Sequence, residues 1–444
     1  QVHGIELIAS ENIVPEAILA ANGSVLTNKY AEGYPGFRYY GGCEPSDDVE
    51  NMAREAAVAL FKGSNKANVQ PHSGSQANQA AYYTLLENGD KILSMKLDHG
   101  GHLSHGADVN ATGHTYDIVN YGVGEDGRID YNQLGDIARR EKPQLIIAGG
   151  SSYPFIIDFK AFRQVADSVD AYLLVDMAHF AGLVAVGKYG RNNSPLKYAD
   201  IVTTTTHKTL RNTRGGMALF GERGLEGKIP SKITGKDVPI YRAYDSALFP
   251  GLQGGPLMHN IMAKAVGFRM ALNEKGTGPS NEFKRYQQLV LDNAQDLAFE
   301  FLKRGYELCG GGTETHLLML ERPKGLTGKA AQGASDLIGI TVNKNSIPND
   351  PEPPQVASGV RIGSPAVSAR GMGREEMGEI VNILDQLWGH TVVVGKNVPL
   401  PQPNIQDMLA NRTRRLTDRF PVYPELDAAT KYIGERLGIL EPGK

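Results

Sequence analysis

The chain has 444 residues, 41% of them hydrophobic and 21% charged, which is enough for two domains and lacks the bias of a disordered or fibrous protein. Its 46 Lys and Arg nearly balance 49 Asp and Glu, so the overall charge makes no electrostatic case for nucleic acid or an anionic membrane. Cys43 and Cys309 lie too far apart for a metal-type spacing and fit free thiols in a reducing compartment.

No apolar run approaches the roughly 18 residues that span a bilayer, and there is no solenoid-type repeat or low-complexity tract. A soluble, cytoplasmic protein is expected. The chain starts at Gln1 rather than Met, close to Ile5-Glu-Leu-Ile-Ala-Ser-Glu-Asn12, which leaves room for residues upstream, a cleaved targeting segment among them.

The first motif along the chain that carries chemistry is His72-Ser-Gly-Ser-Gln-Ala-Asn78. It leads into a helical run with Ala77, Ala80, Ala81 and Leu85, so Ser73, Gly74 and Ser75 fall at a helix N-terminus. Free backbone N–H groups and hydroxyls there cradle a phosphate; plain capping by Ser explains the motif alone equally well. Short apolar strands are predicted at 92–95, 145–148, 172–175, 201–206 and 217–220, with helical spacing between them, as in 160–169. This alternation predicts an α/β fold with a mostly parallel sheet covered by helices.

After the first of these strands comes His99-Gly-Gly-His-Leu-Ser-His105. Three imidazoles three residues apart suggest a metal, but the paired glycines argue against a rigid helix holding the ligands, and no Cys or carboxylate cluster accompanies them. No metal is expected. A ring such as His102 stacking on a planar cofactor fits better, a satisfied structural histidine being the plain alternative.

Asp176 ends the 172–175 strand, with His179 three residues on. At that position its carboxylate points into the crevice at the strand ends and suits a protonated ring nitrogen, although a strand-end Asp is often a simple turn former. The β-branched run Ile201-Val-Thr-Thr-Thr-Thr206 exits directly into His207 and Lys208. Strand ends are where α/β proteins bind ligands. A lysine titrates near ~10.4, so it attacks a carbonyl only where burial or a nearby cation favours the neutral amine. His207 and Arg214 are placed to supply that field. Taken alone, such a lysine is far more often a solvated surface charge.

The segment 222–247 is long for a strand connection and fits a functional flap or an inert insertion. A turn-rich stretch at 249–256 precedes a helical pattern to about 271, and the domain boundary is drawn at the loop 275–280. Beyond it, helices at 286–302 and 374–388 bracket strands near 317–320 and 360–362, which predicts a smaller α+β domain.

A phosphate cradle, a strand-end Asp and a strand-end Lys together match pyridoxal phosphate, which has a phosphate, a basic ring nitrogen and an aldehyde. The same residues carry a resemblance. Tyr30-Ala-Glu-Gly-Tyr-Pro-Gly, Arg38-Tyr-Tyr-Gly-Gly-Cys-Glu, His72-Ser-Gly-Ser-Gln-Ala-Asn, Val175-Asp-Met-Ala-His and Thr203-Thr-Thr-Thr-His-Lys-Thr-Leu resemble serine hydroxymethyltransferases. The likeness runs from Ile5 to about Gly371, through Val342-Asn-Lys-Asn-Ser-Ile-Pro-Asn-Asp and Ser358-Gly-Val-Arg-Ile-Gly-Ser-Pro-Ala.

It implies a fold-type-I, aspartate aminotransferase-like enzyme with a seven-stranded sheet. Residues 1–50 would be an arm contributing to the partner subunit's site, 51–275 the large cofactor domain and 276–444 the small domain. Lys208 would hold the cofactor covalently, Asp176 its ring nitrogen, His102 its face, and Ser73, Gly74 and Ser75 its phosphate. Ser151 and His179 would contact the ring oxygen or substrate, and Arg361, with Ser10, the amino acid carboxylate, for which a guanidinium fork is the natural clamp. Tyr30, Glu32, Tyr40, Gly254 and Gly255 would reach in from a second subunit of a homodimer or tetramer. Glu32, raised toward neutrality by burial, would transfer protons, with His207 beside the lysine. Tetrahydrofolate would meet Glu32, Leu97, Gly101, Leu103 and Asn345; Leu97 and Leu103 are equally well explained as core residues.

Three departures bear on substrate identity, one being that the 222–247 segment is longer than the family's connection. Asn212-Thr213 stand where the family has Gly-Pro, a turn that Asn can preserve because it tolerates left-handed backbone angles. Ser368-Ala-Arg-Gly replaces the usual Thr-Arg-Arg-Gly and loses one cation. The expected reaction is reversible transfer of the serine hydroxymethyl group to tetrahydrofolate. A 2-methylserine enzyme, a folate-independent threonine-type aldolase and a catalytically silent scaffold are the alternatives.

Overall fold

The computed structural model describes residues 2–232, 234–395 and 397–425. Its centre is a seven-stranded sheet made of β1 (Lys66–Asn68), β2 (Lys91–Met95), β3 (Asp117–Tyr121), β4 (Leu145–Ala148), β5 (Tyr172–Asp176), β6 (Ile201–Thr205) and β7 (Gly216–Phe220). The spatial order is β1-β7-β6-β5-β4-β2-β3. Strands β2 to β6 pair in parallel, and β7 runs antiparallel to both β6 and β1. The sheet is therefore mostly parallel. Five of its strands match the expected positions; β1 and β3 are new. Lys66-Ala-Asn is too short to register as an apolar run, and β3 is an edge strand with only Tyr121 buried.

Covered on both faces, the central strands send alternate residues to opposite cores. Ile146, Leu173, Val175, Val202 and Leu219 join one core with Phe159, Phe162, Ile261 and Phe268. Leu145, Ile147, Leu174, Ile201 and Ala218 join the other with Ala80, Ala81, Tyr244 and Leu248. The threonines of β6 are buried but satisfied: Thr203 donates to Asn78 Oδ1 at 2.6 Å and Thr204 to the Thr205 carbonyl at 2.9 Å.

The 222–247 segment is ordered structure. A helix Glu222–Glu226 leads to an antiparallel pair, Lys228–Pro230 with Asp237–Pro239, and then to the helix Ile240–Leu248. That last helix buries Ile240, Tyr244 and Leu248 against the sheet, so this half of the segment is core.

Further along, Glu307–Leu308, Leu317–Glu321, Gly359–Gly363 and Asn343–Asn345 form a four-stranded antiparallel sheet in that order. The helices Asn281–Lys303 and Arg374–Gly389 supply Leu297, Phe301, Ile380, Leu384 and Trp388 to its core. Ile5 and Leu7 join the same core, because Ile5–Glu6 pairs in parallel with Ile340–Thr341. The start of the chain is thus tied to the C-terminal layer. Among the described residues no helix is long and apolar enough to cross a membrane.

Candidate active site

The parallel strands all end on one edge of the sheet, where crossovers leave a crevice. Asp176 closes β5, Lys208 follows β6 by three residues, Ser151 follows β4 and His102 follows β2. Asp176 Oδ2 accepts from Asn78 Nδ2 at 2.9 Å and lies 2.9 Å from His105 Nε2, while Oδ1 accepts from the Ala178 N–H at 3.0 Å. Burial pushes this carboxyl up, but the His105 bond and charge, with His102 and Asn78, outweigh it and hold it well below the usual carboxylate range.

Lys208 is 7% exposed. Burial brings its amine down to about 8; Asp176 opposes the shift, and Arg361 and Arg214 add to it. The expectation that His207 supplies part of that field is corrected. Burial, together with the Lys208 and Arg214 charges, pushes His207 down to about 3, so the imidazole is neutral. Arg361, far away in sequence, takes that place. The backbone of Lys208 is held by Asn12, whose Nδ2 donates to its carbonyl and to Tyr286 Oη, each at 2.7 Å.

The three imidazoles of 99–105 diverge. His99 Nδ1 accepts from the Val123 N–H at 3.0 Å, His105 reaches Asp176, and His102 Nδ1 accepts from the Ser104 N–H at 3.1 Å. Burial pushes His102 down to about 4, helped by His105, leaving a neutral ring near the crevice.

Ser73 is the N-cap of the helix Gly74–Leu85, its Oγ accepting from the Gln76 N–H at 3.3 Å. Gly74 and Ser75 form the first turn. A Cβ on Gly74 would lie 2.6 Å from Thr205 Cγ2, and one on Gly216 only 2.2 Å from the Ser73 carbonyl oxygen. The helix start is therefore pressed onto β6 and β7 with no side chain between.

The C-terminal sheet closes the crevice from the other side. Arg361 is 8% exposed; its Nε donates to Asn343 Oδ1 at 3.0 Å and its Nη1 to the Ser151 carbonyl at 2.6 Å. Ser151 donates from N and Oγ to the Gly100 and Gly101 carbonyls, both at 2.7 Å, and Asn345 Nδ2 donates to Ser152 Oγ at 3.2 Å. Ser10 follows Ala9, which packs on Gly363 at the end of the Arg361 strand. His179 Nδ1 lies 3.2 Å from His316 Nε2. Burial, with the Lys208 and Arg361 charges, keeps both rings neutral.

A second group gathers elsewhere. The Tyr30 hydroxyl is hydrogen-bonded to Glu32 and held above its ordinary value by that carboxylate's charge. Tyr30 and Tyr40 meet edge to face at 5.4 Å. Gly254 and Gly255 lie against Glu32 Oε1 and the Tyr30 ring. Among the described residues no hydrogen bond or ion pair joins this group to Lys208, Asp176 or Arg361. Glu32 is half-buried in the single chain, short of the burial expected for it.

Two further expectations change. Leu97 and Leu103 are 43% and 47% exposed, so the core explanation fails for both; they sit on one-turn helices in the loop after β2, outside the sheet. In the Asn212-Thr213 turn the left-handed residue is Arg211, φ 55°, and not Asn212. Asn212 spends its amide on the Lys264 carbonyl at 2.9 Å and on the Thr213 N–H at 2.6 Å. The space comes from Gly267, where a Cβ would lie 2.3 Å from that amide. Thr213 Oγ1 meets Asn260 and Asn22. Both side chains are thus engaged with flanking helices.

Asn78, His105, Asn12, Arg214, His316 and Arg38 complete the two groups, and most lacked an assigned role in the sequence. Asn78 and His105 carried a signal, since each stands inside a quoted motif one or two helical turns from a named residue. Asn12 lies in the Ile5–Asn12 run beside Ser10, but nothing in that run points to Lys208, and His316 carried no signal, because only the fold brings them near Lys208 and His179.

The donor set fits pyridoxal phosphate: a desolvated amine, an ionised carboxylate on the neighbouring strand, a neutral imidazole and a bare helix start packed on the same strands. A family model described as serine hydroxymethyltransferase matches residues 1–384. By that match and this architecture the chain belongs to the serine hydroxymethyltransferase family, the fold-type-I, pyridoxal phosphate-dependent transferases of one-carbon metabolism.

Proposed function

We propose that this enzyme moves the hydroxymethyl group of L-serine to tetrahydrofolate, reversibly, leaving glycine and 5,10-methylenetetrahydrofolate. The observation that carries it is the facing of Lys208 and Asp176 by Arg361, an amine and a carboxylate for the cofactor opposite a cation for an amino acid. Lys208, with an amine near 8, holds a usable neutral fraction at neutral pH for bonding to the cofactor aldehyde. When bound, the cofactor supplies an electron sink for the pair released as the substrate Cα–Cβ bond breaks. Asp176, ionised, would hold the ring nitrogen, and the neutral His102 would offer a face for stacking.

Arg361 is oriented by Asn343 and the Ser151 carbonyl, which leaves its guanidinium aimed rather than free to rotate. It would take the substrate carboxylate together with Ser10. Glu32 and Tyr30, presented by a second subunit, would move the proton between the hydroxymethyl oxygen and the folate nitrogen. The exposure of Leu97 and Leu103 supports a folate site, since the apolar part of that co-substrate would cover them.

The test is the visible spectrum of the purified protein with glycine, before and after tetrahydrofolate. A long-wavelength band that rises with folate supports both ligands and the serine–glycine reaction. A spectrum indifferent to folate and glycine overturns it in favour of 2-methylserine or an aldolase. A protein that stays colourless with added pyridoxal phosphate is a silent scaffold.

A further inference from the structure

Among the described residues two lysines are buried, Lys208 and Lys264, and Lys264 has no part in the site so far. It lies in the helix Met258–Ala271 and is 1% exposed. Its Nζ donates to the carbonyls of Val69 at 2.7 Å, Gly216 at 2.8 Å and Pro71 at 3.2 Å. An ammonium has three donors, and all three are used. No carboxylate forms an ion pair with it among the described residues.

These three carbonyls are not scattered. Val69 and Pro71 belong to the short segment that delivers Ser73, and Gly216 is the residue packed on the Ser73 carbonyl. Lys264 therefore binds, from beneath, both pieces of chain that form the floor of the helix start at Ser73 and Gly74. An apolar side chain there would take one donor from each of three buried carbonyls, leaving Pro71 only the Gly216 N–H at 3.0 Å, which is costly.

The charge itself is the second observation. The hydrogen-bond partners of Lys264 are all dipoles, a poor setting for a buried cation; burial brings this amine down to about 7, opposed only by the charge of Glu50, itself paired with Arg38. The Lys264 cation contributes to the lowering of His72, next to Ser73, and of His207, next to Lys208. Its field reaches both ends of the crevice. Glu50 is already paired with Arg38, so an anion bound at the helix start would add compensation that the chain supplies only in part.

We propose that Lys264 is the buried cation of the phosphate subsite, a positioning residue that braces residues 69–73 and offsets the cofactor's phosphate charge without touching it. This rests on Ser73, Gly74 and Ser75 being the phosphate cradle. The test compares pyridoxal phosphate with pyridoxal, which lacks the phosphate, on cofactor-free wild type and Lys264→Met. Met fills the same volume without charge. The expected result is pyridoxal phosphate bound at least about tenfold more weakly by the variant, with pyridoxal changed by less than about twofold. An equal loss for both ligands assigns Lys264 to scaffolding only and overturns the proposal, as does no loss for either. Should the variant not fold, ³¹P spectra of wild-type holoenzyme decide: the phosphate is expected to stay dianionic below its ordinary second ionisation near ~6, and a resonance titrating at that ordinary value overturns the proposal. A wild type that binds pyridoxal as tightly as pyridoxal phosphate instead removes the cradle at Ser73 to Ser75, a separate failure.

Discussion

The Lys208 group and the Glu32 group fix their charged side chains by opposite means. Around Lys208, Asp176, His105, Asn78 and Arg361 are buried and bonded to one another or to nearby backbone. Around Glu32 the rings are largely exposed: Tyr30 is 59% exposed, Tyr39 71% and Phe37 83%. Yet the hairpin beside those rings, Gly33–Tyr34 paired with Phe37–Arg38, is anchored through Arg38. Arg38 Nη1 donates to the Ala31 and Gly33 carbonyls at 2.9 and 2.7 Å, one on each side of Glu32, and its other nitrogens pair with Asp47 and Glu50. The backbone on each side of Glu32 is thus fixed, while the rings beside it stay largely exposed. One group is closed within the chain, and the other is left open to solvent.

The largest expected effect breaks the closed group. Lys208→Ala removes the buried amine at the strand ends proposed to hold the cofactor, and kcat is expected to fall by ~10³ or more, read in a serine-to-glycine assay. Asp176→Asn is expected to cost about 10² to 10³ in kcat, with cofactor still retained. A variant with near wild-type kcat would remove Asp176 from its role.

Next comes Glu32→Gln, for which loss of the proton carrier predicts a fall of about a hundredfold in kcat. Mixing it with Lys208→Ala sharpens the comparison between the two groups. If Glu32 serves the partner's Lys208, refolded 1:1 mixtures contain hybrid dimers with one intact site, and roughly a quarter of wild-type activity returns. Mixtures no better than their parents would place both residues in one chain's site.

Smaller still, Leu97→Ala or Leu103→Ala is expected to raise the KM for tetrahydrofolate about tenfold through lost apolar contact, with the KM for serine unchanged. The mildest expected change is one of pH. The Lys208 amine is lowered to about 8, so its neutral fraction grows as pH rises through that value. Cofactor attachment to the cofactor-free enzyme is expected to speed up between pH 7 and 9 and level off above; a rate still climbing past pH 10 would mean an ordinary, solvated lysine.

Much of the closed group was legible because its members sit at ends of regular elements. An apolar run stopping at Asp176, another stopping at Lys208 and a Ser-Gly-Ser opening a helix are local patterns, and local patterns report backbone direction. Leu97 and Leu103 misled for the complementary reason. Leucine reads as core in any window, and only the placement of the loop after β2 decides that both face outward. Arg211 took the left-handed angle expected of Asn212, because Gly267 left room for the Asn212 amide to bond the Lys264 carbonyl. That trade lies between segments more than fifty residues apart and has no local signature.

What the sequence determined by itself is the alternation of strands and helices, the cofactor class and a set of candidate residues for its chemistry, since periodicity and motif spacing are short-range properties of the chain. Tertiary structure alone decided that Arg361 rather than His207 joins the field at Lys208, that His105 and Asn78 clamp Asp176, and that Lys264 lies beneath Ser73. Those are relations between surfaces that meet only after burial. Burial also sets the protonation of Lys208, Lys264 and His207, because the cost of a charge depends on what surrounds it and not on its neighbours in sequence.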